Sequence, residues 1–351
     1  MTELIIDAAS HPFPVASDDL RRYMSEPFAH LRFPTYDAYF YPPPHTEYMA
    51  TAIDAGGLPG SDPTLFDKEI FGNAGTAGAI LLPLTRGLLP DLDMANEICS
   101  ATNRWLADQW LARDPDRLFG SIRINPADPV RAIREIDEWA THPQMVQIAV
   151  PLQAHQPYGQ RIYRPIWERA AFHGLPVAVH ADALAGNEFW PTAAGYPFTY
   201  AEFAAQNPIN YTVHLLSLIA EGVLEEQPDL TFVFADGGLD MLFPILWRSN
   251  ADWRPLRSVT PWVKRNPLTY LKNQVRFCSN SLEGPTEREA IPKWIASVDA
   301  EHLLMYASNY PFSSFQAPSA FNQIAPATRA RILGGAALEC YPKLRRKHVS
   351  P

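Results

Sequence analysis

Pro176-Val177-Ala178-Val179-His180 is a short apolar run, rich in β-branched residues, that stops on a histidine. Runs of the same kind recur along the 351 residues. They are Leu4–Ala8, leading into Ser10-His11; Gly78–Leu82; Leu118–Ile124; Met145–Val150; Leu230–Ala235, ahead of Asp236-Gly237-Gly238; Val275–Ser279; and Leu303–Ala307, ahead of Ser308-Asn309-Tyr310-Pro311. Their hydrophobicity is nearly continuous rather than alternating, as expected of strands buried on both faces. Longer amphipathic segments separate them. Leu92–Arg113 is the clearest, with Ala95, Ile98, Cys99, Trp105, Leu106 and Trp110 on one face. Others are Pro129–Ala140, Ile162–His173, Asn210–Glu226, Asp240–Arg254, Glu287–Val298 and Ser319–Glu339. Eight strands alternating with helices predict an α/β fold, a single (β/α)8 TIM barrel over residues 1–351.

Two stretches interrupt the alternation. Residues 12–75 are Pro-rich and aromatic, and residues 184–208 carry Trp190, Tyr196, Phe198 and Tyr200. Both follow a strand, so both are expected as lid insertions over the C-terminal mouth, where barrel active sites form. Trp190, Tyr196 and Phe198 are then the expected substrate walls.

Composition excludes several classes. A formal charge of −9 argues against a nucleic-acid surface, and the only compact basic cluster is Lys343–His348 at the C-terminus. The three cysteines, Cys99, Cys278 and Cys340, have neither zinc-type nor disulfide spacing, which fits a reducing cytoplasm. The N-terminus offers no basic and apolar leader, and no long apolar run predicts a membrane span. A cytoplasmic protein with a small-molecule substrate is expected. No phosphate loop, dinucleotide fingerprint or nucleophile elbow occurs.

Polar groups at strand ends converge in a barrel. His11, His180, Asp236 and Asn309 hold such positions and are the expected catalytic set. Around them, Arg123 at the end of the third strand is placed to pair with a substrate carboxylate, with Glu283 or with Asp236. His155 and Tyr158 after the fourth strand, Glu283 after the seventh and Tyr310 after the eighth complete the expected substrate-binding set. His214, in a helical run, is expected to pack in the interior or on the helix surface.

Several blocks are typical of one family: Leu58–Pro63, Asp114–Ser121, Gly174–His180, Glu221–Leu230, Trp262–Arg265 and Ile332–Ala337. Together they resemble the amidohydrolase-related barrels, the branch that includes aminocarboxymuconate-semialdehyde decarboxylase and resorcylate-type decarboxylases. The resemblance implies hydrolysis of a lactone, ester or amide, or decarboxylation of a small aromatic or unsaturated acid. It also implies a homodimer. The metal ligands of such relatives, a first-strand His-x-His or Asp-x-His pair, a fifth-strand His and an eighth-strand Asp, fall on Ala9 and His11, His180 and Asn309. Ala9 offers no ligand and Asn309 only a neutral amide, which predicts no tightly bound metal and His/Asp acid–base chemistry in its place. The alternatives are an orthodox divalent-metal hydrolase or decarboxylase, with zinc held by His11, His180 and Asp236, and an inactive barrel that binds a small molecule.

Overall fold

The computed structural model of the chain describes residues 3–16, 18–31, 47–85, 89–182, 195, 198–237, 239–281 and 287–348. Its strands are β1 (Ile6–Ser10), β2 (Gly78–Leu81), β3 (Leu118–Arg123), β4 (Met145–Pro151), β5 (Val177–His180), β6 (Phe232–Phe234), β7 (Val275–Cys278) and β8 (Leu304–Met305). They form one eight-stranded sheet in sequential order, with every neighbouring pair parallel. Backbone bonds just beyond β8 draw the edges together: Ala8 N donates to Tyr306 O at 2.8 Å and Asn309 N to Ala9 O at 3.3 Å. This is the expected (β/α)8 barrel, nearly closed. The strands are buried along their lengths apart from half-buried Arg276, because helices cover their outer faces.

Helix starts follow local chemistry. The Asp91 side chain accepts from Met94 N to open the helix Leu92–Gln109. Asp128 does the same for Pro129–Trp139, and Asn266 for Pro267–Gln274.

Three boundaries differ from the reading of the sequence. The last strand is only Leu304–Met305, because Tyr306 N donates to Ile332 O at 2.9 Å instead of to a strand neighbour. The helix expected over 319–339 is divided into a 3-10 turn (Pro318–Phe321), a helix (Pro326–Ala330), a π turn (Arg331–Gly335) and a further helix (Ala336–Cys340). Pro326 brings no N–H, and Gly334 lies so close to β1 that a Cβ there would stand 2.4 Å from Leu4 O. The helix expected from Asn210 begins at Tyr200 and runs to Ala220, because Thr199 and Glu202 form a capping box. The end of the second expected insertion, residues 184–208, is therefore helical.

The first insertion is also ordered where it is described. It contains 3-10 turns at Asp19–Tyr23 and Phe28–His30, short helices at Ala50–Asp54 and Pro63–Phe66, and a π turn at Asp67–Asn73. It docks on the loop after β8: Met49 N donates to Pro311 O at 2.9 Å, and Tyr48 forms an antiparallel bridge with Phe312.

Candidate active site

β1 and β5 present their terminal histidines to each other. The rings of His11 and His180 stand 4.5 Å apart, and both residues are buried. Each turns Nδ1 to a backbone carbonyl, His11 to Leu82 O at 2.9 Å and His180 to Ala181 O at 2.7 Å. A carbonyl only accepts, so Nδ1 carries the proton in both rings and both Nε2 lone pairs are left for another partner. For His180 that nitrogen is buried with no protein partner. For His11 it faces Asn309 Oδ1 at 3.1 Å. Burial, reinforced by the second imidazole, lowers the pKa of His11 to about 3. Burial, with the Arg123 charge adding to it, lowers that of His180 to about 3. Neither imidazole is then a base near neutral pH, contrary to the expectation of His-based proton transfer.

Asn309 reaches His11 through an unusual backbone conformation. Its φ of 59° lies in the left-handed region, which asparagine tolerates better than most side chains. Its Nδ2 donates to Ser314 Oγ at 2.6 Å, which points Oδ1 at His11. Asp236, two residues past β6, accepts from Asn280 Nδ2 at 3.3 Å, and its negative charge reaches His11.

Beneath this cluster Asp7 ties β1 to the β8 loop. Its carboxylate accepts from the Ser10 and Ser308 hydroxyls at 2.5 Å each and from Ser308 N at 2.9 Å, and burial raises its pKa. Reading strand ends alone missed Asp7, because it lies inside β1. Phe312, whose ring is 5.4 Å from that of His11, stacks on Tyr48 at 5.3 Å, so the first insertion, aromatic as the sequence reads, sets a ring behind Phe312.

Arg123 is fully buried. Its partner is none of those expected but Asp182, two residues past His180, with which it forms a buried ion pair. Its Nη2 also donates to Thr85 O at 3.2 Å. The Asn103 amide grips its main chain from both sides, accepting from Arg123 N at 2.7 Å and donating to Arg123 O at 2.9 Å.

The remaining expected substrate contacts divide. Tyr158 is interior: its hydroxyl donates to Pro151 O, and its ring stacks on His214 at 4.2 Å. The Tyr310 ring packs edge-on against Phe66 at 5.3 Å, under the first insertion. His155 is exposed, and Phe198 is 99% exposed, so the structure does not bring either to the histidine pair. Trp190, Tyr196 and Glu283 lie outside the described residues.

Comparison with known proteins agrees with this architecture. Residues 80–343 match the family model described as Amidohydrolase. Gamma-resorcylate decarboxylase of Rhizobium sp. (strain MTP-10005) is 24% identical over 262 residues, covering 70% of this chain and 76% of that one. A 2,6-dihydroxybenzoate decarboxylase crystallised with 2,6-dihydroxybenzoate superposes with a TM-score of 0.69 at 19% identity, covering 97% of this chain and 100% of the other. A 5-carboxyvanillate decarboxylase of Novosphingobium aromaticivorans has a TM-score of 0.70 at 19% identity, covering 97% and 96%. It was crystallised with manganese and 4-hydroxy-3-methoxy-5-nitrobenzoic acid.

The last of these overturns the expectation of no cofactor, and two other structures of the same fold also hold manganese, one of them an aspartate-to-asparagine variant. The expectation rested on counting ligand types, Ala9 and Asn309 against a carboxylate pair. The geometry fits a divalent cation on other grounds. Two Nδ1-anchored histidines leave their Nε2 lone pairs free, which is how metal-ligating histidines are usually held. Asn309 Oδ1 is an oxygen donor of a kind that manganese accepts, and the Asp236 charge favours a cation nearby. Among the described residues, the one group of three His, Cys, Asp or Glu ligand atoms lying within 4.8 Å of one another is Asp299, Glu301 and His302; His11, His180 and Asp236 do not form such a group. With the family model spanning most of the barrel, the chain is an enzyme of the amidohydrolase family.

Proposed function

We propose that this enzyme decarboxylates a small aromatic acid with a divalent metal, manganese being the first choice, held by Nε2 of His11 and of His180 together with Asn309. The buried, partnerless Nε2 of His180 carries this reading, because a polar atom is rarely left so in a folded interior unless a ligand completes it. The family and the aromatic-acid decarboxylases with the same fold support the choice of reaction. Bound there, the cation would supply positive charge to orient the oxygens of an acid substrate.

The chain's own residues do the rest. His11 and His180 stay neutral as ligands, since burial has removed their basicity. Asp236 is the group left to handle the proton: it delivers one to the ring carbon, the carbon–carboxylate bond then breaks, its electron pair returns to the ring, and CO2 departs. Solvent reprotonates Asp236. Phe312 and Tyr48 give a flat substrate an apolar wall and keep water from the ring. The two insertions act as lids, and the enzyme works as a homodimer, which light scattering tests directly.

The test is CO2 release from a panel of hydroxybenzoates by manganese-loaded protein, before and after chelation. Turnover abolished by chelation and restored by manganese is expected. Turnover that survives complete metal removal, or hydrolysis of lactones or esters without any decarboxylation, refutes the reading.

A further inference from the structure

At the ends of β3, β4 and β5 the structure leaves a compact set of buried hydrogen-bond donors unused. Arg123 Nε and Nη1 have no partner, and neither has Gln153 Nε2. Gln153 is buried just past β4, and its Oε1 accepts from Asp182 N at 3.4 Å, so its amide is directed by the same residue that pairs with Arg123. A buried donor left without an acceptor is costly unless something completes it. They lie beside the reacting centre: Asp182, the partner of Arg123, is two residues past His180, and Gln153 follows Leu152, whose N donates to His180 O at 2.7 Å. The site is also rigid, with Arg123 held at its backbone by Asn103, and Asn103 braced in turn by Glu135 at 2.8 Å.

We propose that Arg123 and Gln153 form the subsite that takes an oxygen substituent on the substrate's ring, a hydroxyl, ether or carbonyl, and do not hold the carboxylate that leaves. This rests on the decarboxylase reading and adds to it the group that decides substrate choice. Two physical reasons favour a ring oxygen. Asp182 already balances the Arg123 charge, so a second carboxylate brought there would be repelled, whereas a neutral oxygen offers lone pairs without charge. A guanidinium clamped on the departing carboxylate would also lose its partner as CO2 forms, which stabilises the ground state and slows the reaction. A ring oxygen stays in place throughout.

Titration calorimetry of the manganese-loaded full chain with benzoate and with 2,6-dihydroxybenzoate separates the outcomes. The unaltered enzyme is expected to prefer 2,6-dihydroxybenzoate by about tenfold or more, the worth of one or two well-made hydrogen bonds. Gln153→Leu, and the pair Arg123→Met with Asp182→Leu, should shrink that preference to about twofold while leaving benzoate affinity in place. The double change removes both charges, so neither is left buried alone. If it nevertheless fails to fold by circular dichroism, Gln153→Leu carries the test. A preference that persists in a folded variant overturns the proposal, and so does a benzoate affinity that falls as far as that of the dihydroxy acid. Failure of both acids to bind the unaltered enzyme sinks the decarboxylase reading itself.

Discussion

His180 and His214 touch opposite ends of one residue and live opposite lives. Leu152 N donates to His180 O at 2.7 Å, while Leu152 O accepts from His214 Nε2 at 2.7 Å. Both rings are buried, and burial pushes both down, to about 3 for His180 and about 4 for His214. His214 is complete: its second nitrogen accepts from Tyr158 N at 3.1 Å, and its ring stacks on Tyr158, whose carbonyl receives Trp167 Nε1 at 2.9 Å. His180 keeps one nitrogen unused beside His11. Burial and a shifted pKa therefore do not mark a functional histidine in this barrel. What separates the two rings is the unmet hydrogen bond of His180.

Exchanging the two losses breaks or sharpens that contrast. His180→Ala should empty the site of manganese and reduce turnover by about a thousandfold or more, the several kcal/mol that charge stabilisation by a metal contributes. Its melting temperature should move little. Metal analysis and thermal melts on the same sample check both halves, and a His180→Ala protein that retains stoichiometric manganese would refute the assignment.

Asp236→Asn asks whether the carboxylate moves a proton. Turnover should fall by about a hundredfold or more while manganese stays bound. Single-turnover kinetics with solvent deuterium will show whether the lost step is proton delivery. Unaltered turnover would return that role to another group.

His214→Ala is the mirror experiment. Two hydrogen bonds and a stacked ring disappear, so stability should fall by about 2–4 kcal/mol in urea titration, with metal content and KM unchanged in the protein that remains folded.

The same histidine sets a pH dependence. Its folded pKa, about 4, lies below the unfolded value of 6.5, so the unfolded chain binds the extra proton first. The stability it contributes is present above pH 6.5 and is lost as pH falls towards 4. A His214→Phe protein should show a shallower loss over that window, read as the difference from the unaltered protein.

The smallest effect belongs to Asn309→Asp. A carboxylate opposite the cation should tighten manganese binding severalfold by direct titration. Its left-handed backbone should persist, since aspartate also tolerates φ of 59°.

The alternation of eight buried runs with amphipathic segments was enough to give the barrel, because strand and helix periods are local and a chain of buried parallel strands has few ways to close. The same pattern placed His11, His180, Asp236 and Asn309 at strand ends, and the structure brings His11 to both His180 and Asn309 while the Asp236 charge reaches His11. Partners were not legible. Arg123 finds Asp182 past β5 rather than Asp236 past β6, Tyr158 turns inward to His214, and Phe198 turns out to solvent. Side-chain direction depends on which loop folds over which, and no period in the sequence encodes that. Ligand identities alone argued against a metal, since Ala9 and Asn309 remove charge. Only the tertiary structure shows both Nδ1 atoms tied to backbone carbonyls and the two rings 4.5 Å apart, because a tautomer is fixed by the hydrogen bond that its ring makes in the fold.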